Sequence, residues 1–161
     1  MSKQTLSGWK EDDKNISVIL ITAHLDDFRL AYTLNKHCLT QFVNISNLPE
    51  TSKANQNQSF TKFVSAQSST ISRCYLVHNQ YIIKNSTSIS ANLFNNSETV
   101  KLPLIKSHPK WPYILIHSSE SHQELLLRVR LVPNIIAHQA VDFQTLSNND
   151  QNIIYNIYNE D

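Results

Sequence analysis

The stretch from Ile16 to Cys38, ISVILITAHLDDFRLAYTLNKHC, constrains the fold more than any other, because a dense apolar run passes directly into a segment with helical spacing. Ile16, Val18, Ile19, Leu20 and Ile21 are β-branched or large apolar residues in a short block, the composition of a strand buried on both faces. From Leu25 the apolar side chains fall at Leu25, Phe28, Ala31 and Tyr32, with Leu30 and Leu34 beside them, the stripe of an amphipathic helix. The unit predicted is strand, tight turn, helix, with the helix stopping near Cys38. The turn contains AHLDD, the string in this chain that most suggests chemistry.

The rest of the chain must pack around that unit. Residues 1–14 are polar and charged with only Leu6 and Trp9 to bury, and read as a flexible arm; 15–161 then form a single domain. Leu39 to Ile45 alternates like a short strand, and the segment from Asn47 to Ser59 reads as a loop. Phe60–Ser65 and Ile71–Val77 flank a polar turn and predict an antiparallel hairpin. Gln80–Ile83 either extends its second strand past Asn79 or begins a new one, Asn95–Ser97 reads as a turn, and Thr99–Leu102 is a further short strand.

Pro103, Pro109 and Pro112 enclose a connection, since proline cannot donate to a sheet ladder. Tyr113–Ile116 reads as a central strand. Ser118 and Ser119 offer caps for a helix carrying Leu125, Leu126 and Val129, which Pro133 ends. Ile135–Val141 reads as a last strand, and the apolar tail from Ile153 to Tyr158 as a short helix or strand laid on the core. The class is α+β: a mostly antiparallel sheet with two main helices packed on one face.

Composition removes several functions. The one glycine, Gly8, stands outside the core, so no glycine-rich loop can wrap a phosphate or dinucleotide. Asparagine, tolerant of left-handed backbone, must serve turns in its place. A net charge of +1 with charges spread along the chain lacks the broad basic footprint of a dedicated nucleic-acid binder, so no nucleic-acid partner is expected. No apolar run approaches the roughly 18 residues of a membrane span, and the polar start is no signal peptide, so no membrane partner and a cytoplasmic location are expected. Cys38 and Cys74 read as small buried hydrophobes.

Two regions resemble the IPExxxVDY family of small bacterial proteins. One is AHLDDFRLAYTLNK, Ala23 to Lys36, with Arg29-Leu30 and Leu34-Asn35-Lys36 at the matching positions; the other runs from Tyr113 to Ile154. Leu102-Pro103-Leu104 stands where the family has Ile-Pro-Glu, and Trp111-Pro112-Tyr113 where it has Val-Asp-Tyr, so both acids are absent. The resemblance implies a small cytoplasmic α+β protein with no assigned catalysis.

Ala23-His24-Leu25-Asp26-Asp27 also looks like the zinc motif of PIG-L-type deacetylases. By that analogy His24 and Asp27 would bind zinc and Asp26 would act as base on the metal-bound water. The competing reading puts Asp26 and Asp27 in the first turn of a helix, where the dipole favours negative charge by roughly 0.3–1 kcal/mol. His117, His122 and His138, with Glu120 and Glu124 nearby, match no ligand pattern and read as solvated or capping. Arg128 and Arg130 point to different faces of their helix and join a modest basic surface. Trp111 and Tyr113, in or beside the proline-bounded connection, are either exposed anchors for a protein contact or core residues. The resulting expectation is a non-enzymatic protein-binding or assembly domain using Trp111, Tyr113, Arg128 and Arg130, with a protein partner or homo-oligomer and no cofactor. The alternative is a zinc-dependent hydrolase at AHLDD.

Overall fold

The computed structural model describes residues 16–45, 58–84 and 99–159. The arm at 1–14, most of the loop before Ser59 and the turn at 95–97 lie outside these residues. In chain order the elements are β1 (Ile16–Ala23), α1 (Asp27–Cys38), β2 (Val43–Asn44), β3 (Gln58–Ser59), β4 (Lys62–Ser65), β5 (Cys74–His78) and β6 (Gln80–Lys84). Then come β7 (Thr99–Pro103), β8 (Tyr113–Ser118), α2 (His122–Arg130), β9 (Ile135–Val141) and α3 (Asn148–Tyr158). A six-stranded sheet has the order β2-β4-β5-β8-β1-β9, and β3-β6-β7 form a smaller one. Every pairing is antiparallel. The α+β class and the central place of β8 are as the sequence predicts.

Strand alternation divides the apolar residues of β1 between two cores. Ile19 and Ile21 pack with Leu30, Ala31, Leu34 and Cys38 of α1 and Leu125 and Val129 of α2. Val18 and Leu20 face the other way, toward Ile154 and Ile157 of α3 and Phe143 in the single 3-10 turn before it. Two helices therefore cover one face, and the tail is a third helix on the opposite face. Each fully buried leucine or isoleucine contributes roughly 1.5–3 kcal/mol. Among the described residues, no helix is long and apolar enough to cross a membrane.

Three details differ from expectation. Phe28 and Tyr32, placed on the buried stripe, are 62% and 71% exposed. The stripe that meets the sheet is instead Leu30, Ala31, Leu34 and Cys38, with Asp27 in line with it and bonded to partners on β5 and β8, so Tyr32 turns outward and Phe28 reaches the sheet only with a ring edge on Phe63. The strand expected over Leu39–Ile45 shrinks to Val43–Asn44. Leu39 ends α1 in left-handed backbone (φ 57°), and Asn35 accepts from the N–H of Phe42 at 2.7 Å and the hydroxyl of Thr40 at 3.1 Å, holding the intervening chain out of the ladder. Gln58–Ser59, read as loop, pairs with β6.

Fully buried Asn79 sits where the chain leaves the main sheet, so β6 is a new strand in the second sheet. Its side chain donates to the carbonyls of His108 (3.0 Å) and Trp111 (2.8 Å) and accepts from the N–H of Ile105 (2.8 Å). Its own N–H donates to Pro112 O at 2.7 Å. One amide thus fastens both ends of the proline-bounded connection. Asp150, also fully buried, holds the middle: its carboxylate accepts from the N–H groups of Lys106 (3.1 Å) and Ser107 (2.9 Å) and from the Ser107 hydroxyl. Ser147 caps α3 by accepting from Asp150 N. Burial alone would raise the Asp150 carboxyl, but these donors outweigh it and hold it below the ordinary carboxylate range.

Candidate functional site

The AHLDD turn is built from the end of β1 and the start of α1. Asp26 adopts extended backbone (φ −71°, ψ 169°) and its Oδ1 accepts from Arg29 N at 2.9 Å, which makes it the N-cap. Asp27, one residue on, turns in to the sheet. The Tyr113 hydroxyl stands 3.1 Å from Asp27 Oδ1 and 2.8 Å from Leu25 O, sharing its proton between two acceptors. His78 Nδ1 lies 3.2 Å from one carboxylate oxygen and 3.3 Å from the other. An ionised carboxylate only accepts, so this imidazole carries its proton on Nδ1. The His78 ring also stacks on Tyr113, with centroids 5.2 Å apart.

Burial alone would raise the Asp27 carboxyl. The hydrogen bonds of His78, Thr61 and Tyr113 and the attraction of His78 outweigh it, leaving Asp27 below its ordinary range. Burial, and then the Asp27 charge, push the Tyr113 phenol well above its own. The tyrosine is therefore a fixed donor and Asp27 a fixed acceptor. A histidine oriented by a carboxylate is half of a general-base arrangement. Among the described residues no serine or cysteine hydrogen-bonds to His78, so the geometry ties α1 to β5 and β8 without completing a nucleophilic pair.

The residues named for zinc have separate positions and tasks. His24 is exposed, and its backbone N–H donates to Asn134 O at 3.1 Å. Asp26 caps α1, and Asp27 is engaged by three side chains. No group of three or more His, Cys, Asp or Glu residues able to hold a metal occurs among the described residues.

The four residues named for binding do not converge. Tyr113 is buried and serves the α1 side of the sheet, whereas Trp111 is partly buried against the core on the α3 side. Arg128 pairs with Glu124 one helical turn earlier, and Arg130 is exposed at the end of α2. Cys38 and Cys74 are free and buried, and burial pushes both thiols up to about 12.

The histidines hold a surprise. His117, expected to be solvated or capping, is 0% exposed. Its Nδ1 lies 2.8 Å from Ser118 O, a carbonyl that only accepts, so Nδ1 carries the proton and Nε2 is free to accept. His122 Nδ1 stands 3.4 Å from that Nε2, with the rings stacked 5.2 Å apart. Burial, reinforced by the neighbouring His122, lowers His117 to about 4 against a favourable bond to Ser118. His138 lies apart on β9, opposite Ile21. The signal for His117 was available in the alternation of Tyr113, Leu115 and His117 on one face of β8. His78 and Asn79 offered none beyond the end of an apolar strand.

Compared with known proteins, the chain matches no protein-family model, no curated protein and no solved structure.

Proposed function

We propose that this is a non-enzymatic protein-binding or assembly domain, cytoplasmic and working by surface contact. One observation carries the reading. Helix α1 spends its polar N-terminus on internal bonds while leaving two aromatic rings one helical turn apart largely at solvent: Tyr32, 71% exposed, and Phe28, 62% exposed with one edge of the ring against Phe63 of β4 at 5.4 Å between centroids. Large aromatic side chains kept at solvent on a rigid helix are the usual anchors of protein contacts. The likeness to the IPExxxVDY family, with no assigned catalysis, agrees with this reading and is part of the proposal. The zinc hydrolase gains no comparable support, because Asp26 and Asp27 already have partners.

Hydroxyl-radical footprinting tests the reading on the full chain, purified and in an extract of its native cell. Tyr32 and Phe28 should lose reactivity in the extract while exposed Gln123 and Glu120 keep theirs. Equal reactivity of the two rings in both samples would overturn it.

A further inference from the structure

The imidazole of His78 is engaged on one side only. Its Nδ1–H donates to Asp27 at 3.2 Å, and its backbone N–H donates to Thr61 O at 2.9 Å. No hydrogen bond among the described residues reaches Nε2, and none of their buried side-chain nitrogens or oxygens lacks a partner, so the Nε2 lone pair opens to solvent. With the proton fixed on Nδ1, that nitrogen only accepts. The tie to Asp27 holds the ring in place and leaves Nε2 without a role in the fold.

A carboxylate and an aromatic ring stand beside it. Asp27 is held by His78, Thr61 and Tyr113, and among the described residues no lysine or arginine pairs with it. Arg29 is turned instead to Asp26, at 3.6 Å. Phe28, next to Asp27, meets Phe63 edge to face and keeps most of its ring at solvent. Phe63 lies opposite Leu76, which makes His78 its diagonal neighbour across the strands, at roughly 7–8 Å. Ring, carboxylate and acceptor nitrogen therefore share one patch, at the end of the sheet where α1 begins.

We infer that this patch receives an arginine side chain of a protein partner, with the guanidinium laid on the Phe28 ring, one N–H donated to Nε2 of His78 and the charge balanced by Asp27. The inference rests on the reading of α1 as a contact surface and names the chemistry of what meets it. A cation complements a carboxylate that no lysine or arginine of this chain neutralises, whereas an acidic group would be repelled by it. A donor complements a nitrogen that only accepts. Of the cationic side chains, the planar guanidinium stacks on an aromatic face while still donating in its own plane, which an ammonium does not do.

The isotope-labelled full-length chain is titrated by NMR with the peptide acetyl-Ala-Arg-Ala-amide, and with the same peptide carrying citrulline or lysine in place of arginine. The arginine peptide should shift the Nε2 resonance of His78 and the ring protons of Phe28. Citrulline, which keeps the shape without the charge, should shift neither at the same concentration, and lysine should bind more weakly. Phe28→Leu keeps an apolar contact on Phe63 and removes the π face; it should weaken the arginine peptide roughly two- to fivefold, the size of an exposed cation–π contact. Asp27→Asn should weaken it too, a loss too small to release a partner that Tyr32 also holds. A His78 resonance that stays in place, or moves equally with citrulline or lysine, overturns the arginine site, as does unchanged affinity in Phe28→Leu. If the site fails while Phe28 and Tyr32 are protected in native extract, the binding-domain reading stands without it. If the rings are unprotected as well, both are removed.

Discussion

The hydroxyl of Tyr113, at the start of β8, stands 3.1 Å from Oδ1 of Asp27 in the first turn of α1, across 86 residues of sequence. This bond and the one from His78 fasten the first turn of α1 to the sheet, on the same side as buried Leu30, Ala31, Leu34 and Cys38. Tyr113→Phe keeps the ring and removes the donor. It should destabilise the protein by about 1–3 kcal/mol, because a partly buried carboxylate loses a partner. Urea denaturation measures the loss, and hydrogen exchange should quicken first in the opening turn of α1. An unchanged midpoint would show that the bond contributes nothing.

His117 gives stability a pH dependence with a defined sign. Its folded value of about 4 lies below the ordinary 6.5, so the unfolded chain binds the proton more readily. The stability it confers is fully present above about pH 6.5 and is lost as pH falls toward 4, a change on the order of 3 kcal/mol. Asp27, held below its ordinary 3.8, acts in a lower window, with stability present above that value and lost beneath it. His117→Leu should flatten the curve of unfolding free energy between pH 6.5 and 4 and leave the lower-pH slope in place. A mutant curve parallel to the wild type would contradict the assignment.

Leu39 has φ 57° and is 50% exposed, a branched residue in the conformation that helix ends reserve for glycine or asparagine. Left-handed backbone costs an ordinary residue roughly 1–2 kcal/mol, more than the chain entropy that glycine adds to the unfolded state. Leu39→Gly should therefore stabilise the protein by about 0.5–1 kcal/mol, seen as a higher thermal midpoint. A lower midpoint would mean that Leu39 packs more usefully than its exposure indicates.

Asp150 holds the proline-bounded connection against α3 through the N–H groups of Lys106 and Ser107. Asp150→Ala leaves those donors unsatisfied beside buried Ile105 and should cost about 2–4 kcal/mol. The amide protons of Lys106 and Ser107 should exchange faster in the variant than those of β8. Unchanged exchange at both would remove the carboxylate from this role.

What the sequence disclosed and what it concealed follow from the range of the forces involved. The unit from Ile16 to Cys38, the hairpin of β4 and β5, and strands β8 and β9 were legible because periodicity and turn residues are local signals. The rotation of α1 was not: Leu25, Phe28 and Tyr32 make as good a stripe on paper as Leu30, Leu34 and Cys38. The groups that the buried stripe meets are remote in sequence, His78 and Tyr113 lying 51 and 86 residues from Asp27. Asn79 and Asp150 were illegible for the same reason, since nothing near either residue names the backbone groups that it binds. The AHLDD string attracted a catalytic reading because carboxylates beside a histidine look alike before their partners are known.

The polar groups of this turn hold the first turn of α1 to the sheet, and the proposed contact falls to the exposed rings of the same helix. This division of labour is separated by comparing Asp27→Asn with Tyr32→Ser in two measurements, thermal stability and radical footprinting of Phe28 in native extract. Asp27→Asn should lower the melting temperature and leave Phe28 protected, whereas Tyr32→Ser should melt like the wild type and lose the protection. The reverse pattern, a stable Asp27→Asn protein without a partner beside an unstable Tyr32→Ser protein that keeps one, would contradict it.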